Sequence, residues 1–317
     1  MPALPTVSVI ICAYTLRRWD DMIASIASAV RQPEATEVIV VIDHSPELLE
    51  LTQRAWTGLT VVPNAHRQGL SGARNTGLAL ATGDIVAFLD DDAVAADDWL
   101  RRLLDPFADA SVVAVGGKAA PAWPAVRAPR AIPAELWWIV GCSYRGLPET
   151  RSDVRNVMGC TMALRRAPLV AVGGFNPDTG RIGRHPLGDE ETEVCIRLRA
   201  VDRTRRIVYE PSSVVNHRVT PDRVTVQYLR SRSFFEGVSK AALSKSVGSG
   251  DALSSERSYT LRVLPRAVGR ELGAGNFAGA FAIVLSLGAA GVGYIYGSVH
   301  RYKAPAALRA VPTEVVS

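Results

Sequence analysis

Four short runs of β-branched and other apolar residues, Val7–Ala13, Glu37–Ile42, Leu59–Val62 and Ile85–Leu89, constrain this chain more than any other feature. Each is too short for a helix and apolar at successive rather than alternate positions, the pattern of a strand covered on both faces of a parallel sheet. Between them, residues 19–31 carry Met22, Ile23, Ile26 and Val30 at helical spacing and close before Pro33; residues 71–81 form a second helix, stopped before Gly83. Strand, helix, strand, strand, helix, strand predicts a doubly wound, mostly parallel α/β sheet flanked by helices, in which ligands sit beyond the carboxyl ends of the strands. Asp43 follows the second run, and Asp90, Asp91 and Asp92 follow the fourth, so both acidic positions fall at that edge.

A length of 317 residues suits one large or two modest domains. Pro121, Pro124, Pro129 and Pro133 open a loop-rich stretch, so we divide the chain into residues 1–120, a second half at 121–245 packed on the same sheet, and 246–317. The last part begins with a linker at 246–258, rich in serine, glycine and charge. Hydrophobic residues at 48% and charged residues at 21% exclude disorder, collagen and coiled coil. A net charge of +5 argues for no nucleic-acid partner, and Arg197, Arg199, Arg203, Arg205 and Arg206 read as one solvated face. Cys12, Cys142, Cys160 and Cys195 form no zinc spacing with any of the five histidines, which favours a reduced, cytoplasmic protein. The opening residues reach a strand at once, with no charged segment followed by an apolar one, so no signal peptide is expected.

From Leu272 to Val299 no residue carries a formal charge, while Arg266, Arg270 and Glu271 precede the segment and Arg301 and Lys303 follow it. As a helix it is long enough to cross a bilayer core. Its glycines weaken a helix in water yet are tolerated in lipid, and Gly275 with Gly279, or Gly293 with Gly297, have the spacing for close helix contact. Two readings stand: a membrane-associated helical segment at the cytoplasmic face, or a buried or surface-lying helical pair split near Gly288–Gly293. A homodimer contact is a further use of the same segment.

Three consecutive aspartates repel one another unless a cation compensates them. Carboxylates at Asp90 and Asp92 suit a hard divalent ion, Mn²⁺ or Mg²⁺. The alternative is helix capping, a role that Asp97 and Asp98 fill ahead of Trp99–Leu104. A second acidic cluster, Gly188-Asp189-Glu190-Glu191-Thr192-Glu193, offers a carboxylate able to take up a proton, or an Asp189 cap on a helix running to Arg199.

Taken in order, Ser8–Tyr14, Val41-Ile42-Asp43, Ser71-Gly72-Ala73-Arg74-Asn75-Thr76-Gly77, Phe88-Leu89-Asp90-Asp91-Asp92 and Gly188–Glu193 resemble family 2 glycosyltransferases of the GT-A fold. The resemblance covers about residues 6–220. It implies inverting transfer of a sugar from a nucleotide-sugar donor. Asp43 matches the acid that accepts from the base, commonly uracil, and Ala13 and Tyr14 would flank that base; Ile42 stands where a second acid is common. Asp90 and Asp92 match the outer members of the metal-binding motif, with Asp92 the direct ligand and Asp90 or Asp91 facing ribose or phosphate. His217 resembles a third metal ligand of some relatives, and Arg74 a basic residue near the donor, or else an ordinary helix-surface arginine. Glu190-Glu191 stands where the family shows Glu-Asp, which puts Glu191, or Glu190 beside it, at the catalytic-base position.

On the acceptor side, Gly159–Arg165 resembles a family segment, with Thr161 where asparagine is common, and Trp137 and Trp138 line an acceptor cleft, sit in the core or face a membrane. Arg230 and Arg232 contact the diphosphate or face water; His44, His66, His185 and His300 carry no ligand spacing. The apolar C-terminal segment points to a membrane-bound acceptor, such as a polyprenyl-linked or cell-envelope glycan, reached from a UDP-sugar. Two other classes compete. Asp90-x-Asp92-x-Val94 fits the signature of haloacid-dehalogenase-type phosphatases, but those need the first aspartate on the opening strand. A non-catalytic GT-A module would be expected to lose the metal cluster or the base, and both acids are present.

Overall fold

The computed structural model describes residues 5–125, 128–177, 188–247 and 258–300. β1 (Val7–Ala13) leads into α1 (Trp19–Val30), β2 (Glu37–Ile42), α2 (Pro46–Ala55), β3 (Thr60–Pro63), α3 (Leu70–Leu80) and β4 (Ile85–Asp90). These strands lie in the order β3-β2-β1-β4, all parallel. The expected strands and helices are present, and α2 is an addition. Its Ser45-Pro46 start is a helix signal, but only Leu48 and Thr52 of it are buried, too narrow a stripe for periodicity to register.

Alternate residues of β1 enter opposite layers: Val9 and Ile11 pack with Met22, Ile26 and Leu48, whereas Ile10 packs with Ala73 and Leu78. Both faces are therefore buried, which is why the run is apolar throughout. A Cβ added at Gly77 would stand 2.5 Å from Ile10 Cγ2, so α3 seats directly on the sheet only because that position is glycine.

Beyond β4 the chain forms β5 (Ala93–Ala95), α4 (Trp99–Leu104), β6 (Val112–Ala122), β7 (Ser152–Asp153), β8 (Thr161–Arg165), α5 (Arg166–Ala171), α6 (Glu190–Val201) and β9 (Arg206–Arg218). The sheet continues β4-β8-β6-β9-β5, with β8 antiparallel to both neighbours and β6 parallel to β9. The second half is thus inserted into the same sheet, and the division at 120 falls inside β6. Asp98 stands at the start of α4 but makes no capping bond; its carboxylate instead accepts from Arg102 one turn on.

Among the described residues, three α-helices follow: α7 (Val226–Val247), α8 (Leu264–Gly273) and α9 (Phe277–Val299). α9 is unbroken, so the split near Gly288–Gly293 does not occur. Asn276 caps it, accepting from Gly279 N–H at 3.2 Å, and Gly275 takes the left-handed φ of +67° that the turn before it requires. Gly293 and Gly297 serve close contact within the chain: a Cβ on Gly293 would lie 1.9 Å from the Phe234 carbonyl oxygen, and one on Gly297 3.0 Å from Val238 Cα, both on α7. Of the linker at 246–258, residues 246–247 belong to α7 and 248–257 lie outside the described residues.

Candidate active site

Strand pairing assembles the first acidic group. Asp90 ends β4, Asp91 and Asp92 turn into β5, and β5 pairs antiparallel with β9 so that Ala93 faces His217. That register sets His217 Nε2 3.2 Å from Asp92 Oδ1. Two arginines complete the cluster: Arg18 Nη1 lies 2.8 Å from Asp91 Oδ1 and 3.0 Å from Asp92 Oδ2, and Arg223 Nη2 lies 3.2 Å from Asp92 Oδ2. Burial alone would disfavour the Asp92 anion, but His217, Arg18 and Arg223 hold its carboxyl well below the usual range. Burial likewise opposes a charged His217, and Asp92 outweighs it, lifting the imidazole to about 10. Burial pushes Asp91 up to about 7 against the pull of Arg18.

Asp90, Asp92 and His217 each offer a ligand atom within 4.8 Å of the others. Two carboxylate oxygens and an imidazole nitrogen suit Mn²⁺ or Mg²⁺. The residues fit a divalent cation, whose binding would require His217 to give up its proton. Behind the ring, Cys142 Sγ lies 3.8 Å from Nδ1.

α6 builds the second group. Asp189 precedes it with φ +73° and makes no capping bond; its Oδ1 accepts from Lys240 of α7 at 2.6 Å. Glu190 accepts from Arg74 Nη1 at 2.9 Å. Arg74 is only 2% exposed, held between Phe88 and Phe175 and donating also to Gly159 O at 3.0 Å. It is no surface arginine: it ties the second acidic group to Asp90, 3.6 Å from its Nη2. Glu193 is occupied by Arg197, one turn along the helix. Glu191 remains, half-buried on the cavity wall, and burial, with Glu190 and Asp189 behind it, pushes its carboxyl up to about 8.

The other expected residues separate. Asp43, at the end of β2, receives Asn64 Nδ2 at 2.6 Å and Gly69 N–H at 3.0 Å, and its own N–H donates to the Ala13 carbonyl at 2.7 Å. Ala13, Tyr14 and Asp43 therefore share one edge, with the Arg18 guanidinium 5.6 Å from the Tyr14 ring centre. Trp138 lines the cavity, whereas Trp137 packs edge-on against Trp123 with its indole N–H on Ile132 O. Thr161 does not reach the cavity: it is fully buried and accepts from Trp99 Nε1 at 2.8 Å. Arg230 is exposed; Arg232 turns inward, bonded to Glu236 at 2.8 Å and set over Trp138. His185 lies outside the described residues. Arg18 and Arg223 were not foreseen, because no local pattern reports an ion pair 73 or 131 residues away.

Both acidic groups open on one cavity of about 760 Å³, which Leu287, Ala290 and Tyr294 of α9 also line. Residues 8–173 match the glycosyl transferase family 2. A glucosyl-dolichyl phosphate glucuronosyltransferase of Haloferax volcanii is 35% identical over 243 residues, 75% of this chain and 77% of that one. The chain is a family 2 glycosyltransferase. The succinoglycan biosynthesis protein ExoM of Rhizobium meliloti is 27% identical, over 72% of the transferase and 71% of ExoM. A mannosyltransferase of Pyrobaculum calidifontis, solved with GDP-mannose and Mn²⁺, shares the fold, with a TM-score of 0.60 at 20% identity over 93% of the transferase and 88% of that chain. The phosphatase reading falls on the same ground and on topology, since Asp90 ends the fourth strand rather than the first.

Proposed function

We propose that the transferase moves a sugar from a UDP-sugar, with inversion, to a hydroxyl of a lipid-linked glycan at the cytoplasmic face of a membrane. One observation carries this reading: the Asp90–Asp92–His217 group and the Glu190–Glu191 pair line one cavity to which the apolar helix α9 also contributes. The lipid-linked acceptor is further supported by the dolichyl-phosphate substrate named for the Haloferax relative. The cysteines, all free thiols, accord with a reducing compartment.

In this mechanism Asp43 accepts a hydrogen bond from the base, with Ala13 and Tyr14 beside it. Asp90, Asp92 and His217 would hold Mn²⁺ or Mg²⁺, which would supply charge neutralisation for the departing nucleoside diphosphate. Arg74 fixes Glu190, leaving Glu191 as the base. Its carboxylate takes the acceptor hydroxyl proton as that oxygen bonds to the anomeric carbon, and the bond to the diphosphate breaks with its electron pair on the leaving group. Trp138 and Tyr228 offer flat apolar surfaces for the acceptor sugar.

Calorimetry of UDP, GDP, dTDP and ADP with and without Mn²⁺ tests the donor site. UDP is expected to bind only with the metal, and Asp92→Asn to abolish that binding. Metal-independent binding would sink the metal site, and a preference for GDP would sink the UDP assignment.

A further inference from the structure

α9 presents three faces to three surroundings. Ala282, Ile283, Ser286, Gly293 and Gly297 are buried, with the Ser286 hydroxyl 2.8 Å from that of Ser233 and the Gly297 carbonyl accepting from Lys245 at 2.9 Å, both on α7. Leu287, Ala290, Gly291 and Tyr294 line the catalytic cavity. The third face carries Phe277, Phe281, Val284, Val292, Ile295 and Val299, each between 58% and 75% exposed. Steps of four, three, eight, three and four residues keep them on one line along the helix. That line is about 33 Å long, and no charged residue interrupts it.

An exposed apolar strip of this length marks an interaction site rather than ordinary protein surface. We propose that this face rests on an anionic lipid bilayer with the helix axis in the membrane plane, so that the catalytic cavity opens at headgroup level. The proposal deepens the lipid-linked acceptor reading and rests on it. Charge selects the surface: Arg262 and Arg266, both exposed, stand on the segment that enters α9, and no acid lies on the strip. The inner face selects the orientation. Lipid would surround a crossing helix on every side, yet α9 is bonded to Ser233 and Lys245, and the cavity beside it holds Arg232, Glu236 and Lys240. Crossing would carry these charges into hydrocarbon, at high cost. Lying flat buries only the outer strip, as interfacial amphipathic helices do. The cavity-lining residues adjoin that strip, so an acceptor's apolar chain passes from bilayer to cavity along α9.

Flotation of the full chain with vesicles of phosphatidylcholine and phosphatidylglycerol, against phosphatidylcholine alone, tests the surface. The chain is expected to float with the anionic vesicles. Phe281→Asp with Ile295→Asp should lower the bound fraction at least about tenfold while leaving Mn²⁺-dependent UDP binding unchanged. Cysteines introduced at Ala274 and Ser298, one near each end of α9, test the orientation in sealed vesicles. A membrane-impermeant maleimide should label both, above the background of the unsubstituted chain; labelling of one alone would overturn the in-plane orientation. Vesicle binding that survives the double substitution would overturn the assigned face. A dimer that the same substitution dissolves, with no vesicle binding, would assign the strip to a second copy instead. UDP binding is read on the same preparations, so failure of the donor-site reading appears there and not in flotation.

Discussion

If Glu191 is the base, turnover follows its ionisation. With the carboxyl raised to about 8, chiefly by burial, about one molecule in eleven carries the ionised group at pH 7, half at pH 8 and about ten in eleven at pH 9. kcat/KM should therefore climb with unit slope below pH 8 and gain about tenfold between pH 7 and pH 9. Stability runs the other way. The folded-state value of about 8 exceeds the ordinary 4.5, so this group favours folding fully below about pH 4.5, and the contribution is lost as pH rises through about 8. Glu191→Gln should cost at least about a hundredfold in kcat and flatten that alkaline loss of stability. The assay is nucleotide release from UDP-sugar with a polyprenyl-phosphate glucoside, over pH 6 to 9.5, alongside thermal unfolding in the same buffers. A flat or falling rate between pH 7 and 9 would refute the reasoning. So would an active Glu191→Gln beside an inactive Glu190→Gln, which would move the base one residue back.

Other substitutions separate binding from architecture. Arg74→Met leaves Glu190 buried without its cation and should destabilise by about 3–5 kcal/mol; Glu190→Gln added to it should recover much of the loss in urea unfolding. Thr161→Val strands the Trp99 indole N–H in the core, and should cost about 1–3 kcal/mol with unchanged acceptor KM; a raised KM would return Thr161 to the acceptor side. Gly237→Ala would place a Cβ 2.0 Å from the Ala290 carbonyl oxygen. Backbone cannot yield there as a side chain can, so proteolysis within α9 should accelerate, with a stability loss of about 1–3 kcal/mol.

Much of this enzyme is written locally. Runs such as Val7–Ala13 and Ile85–Leu89 can be satisfied only as strands covered on both faces, and an acid that follows such a strand must lie at the sheet's carboxyl edge. Asp43, Asp90 and Asp92 could be placed at that edge for this reason, whereas Glu191, in the first turn of α6, was singled out only by its acidic cluster and the family resemblance. Strand order was not, because the entry of β8 between β4 and β6 and the pairing of Ala93 with His217 depend on contacts far apart in the chain. Those pairings brought Arg18 and Arg223 onto the aspartates, made Arg74 a buried link between two acidic groups, and drew Trp138 to the cavity while Trp137 and Thr161 went to the core. The sequence alone showed that residues 272–299 carry no charge; it could not show which side of the helix needs cover. Only α7, packed against Gly293 and Gly297, determines that one face is already taken and another left bare. Helical periodicity records which side chains share a line, and tertiary packing decides which line meets solvent.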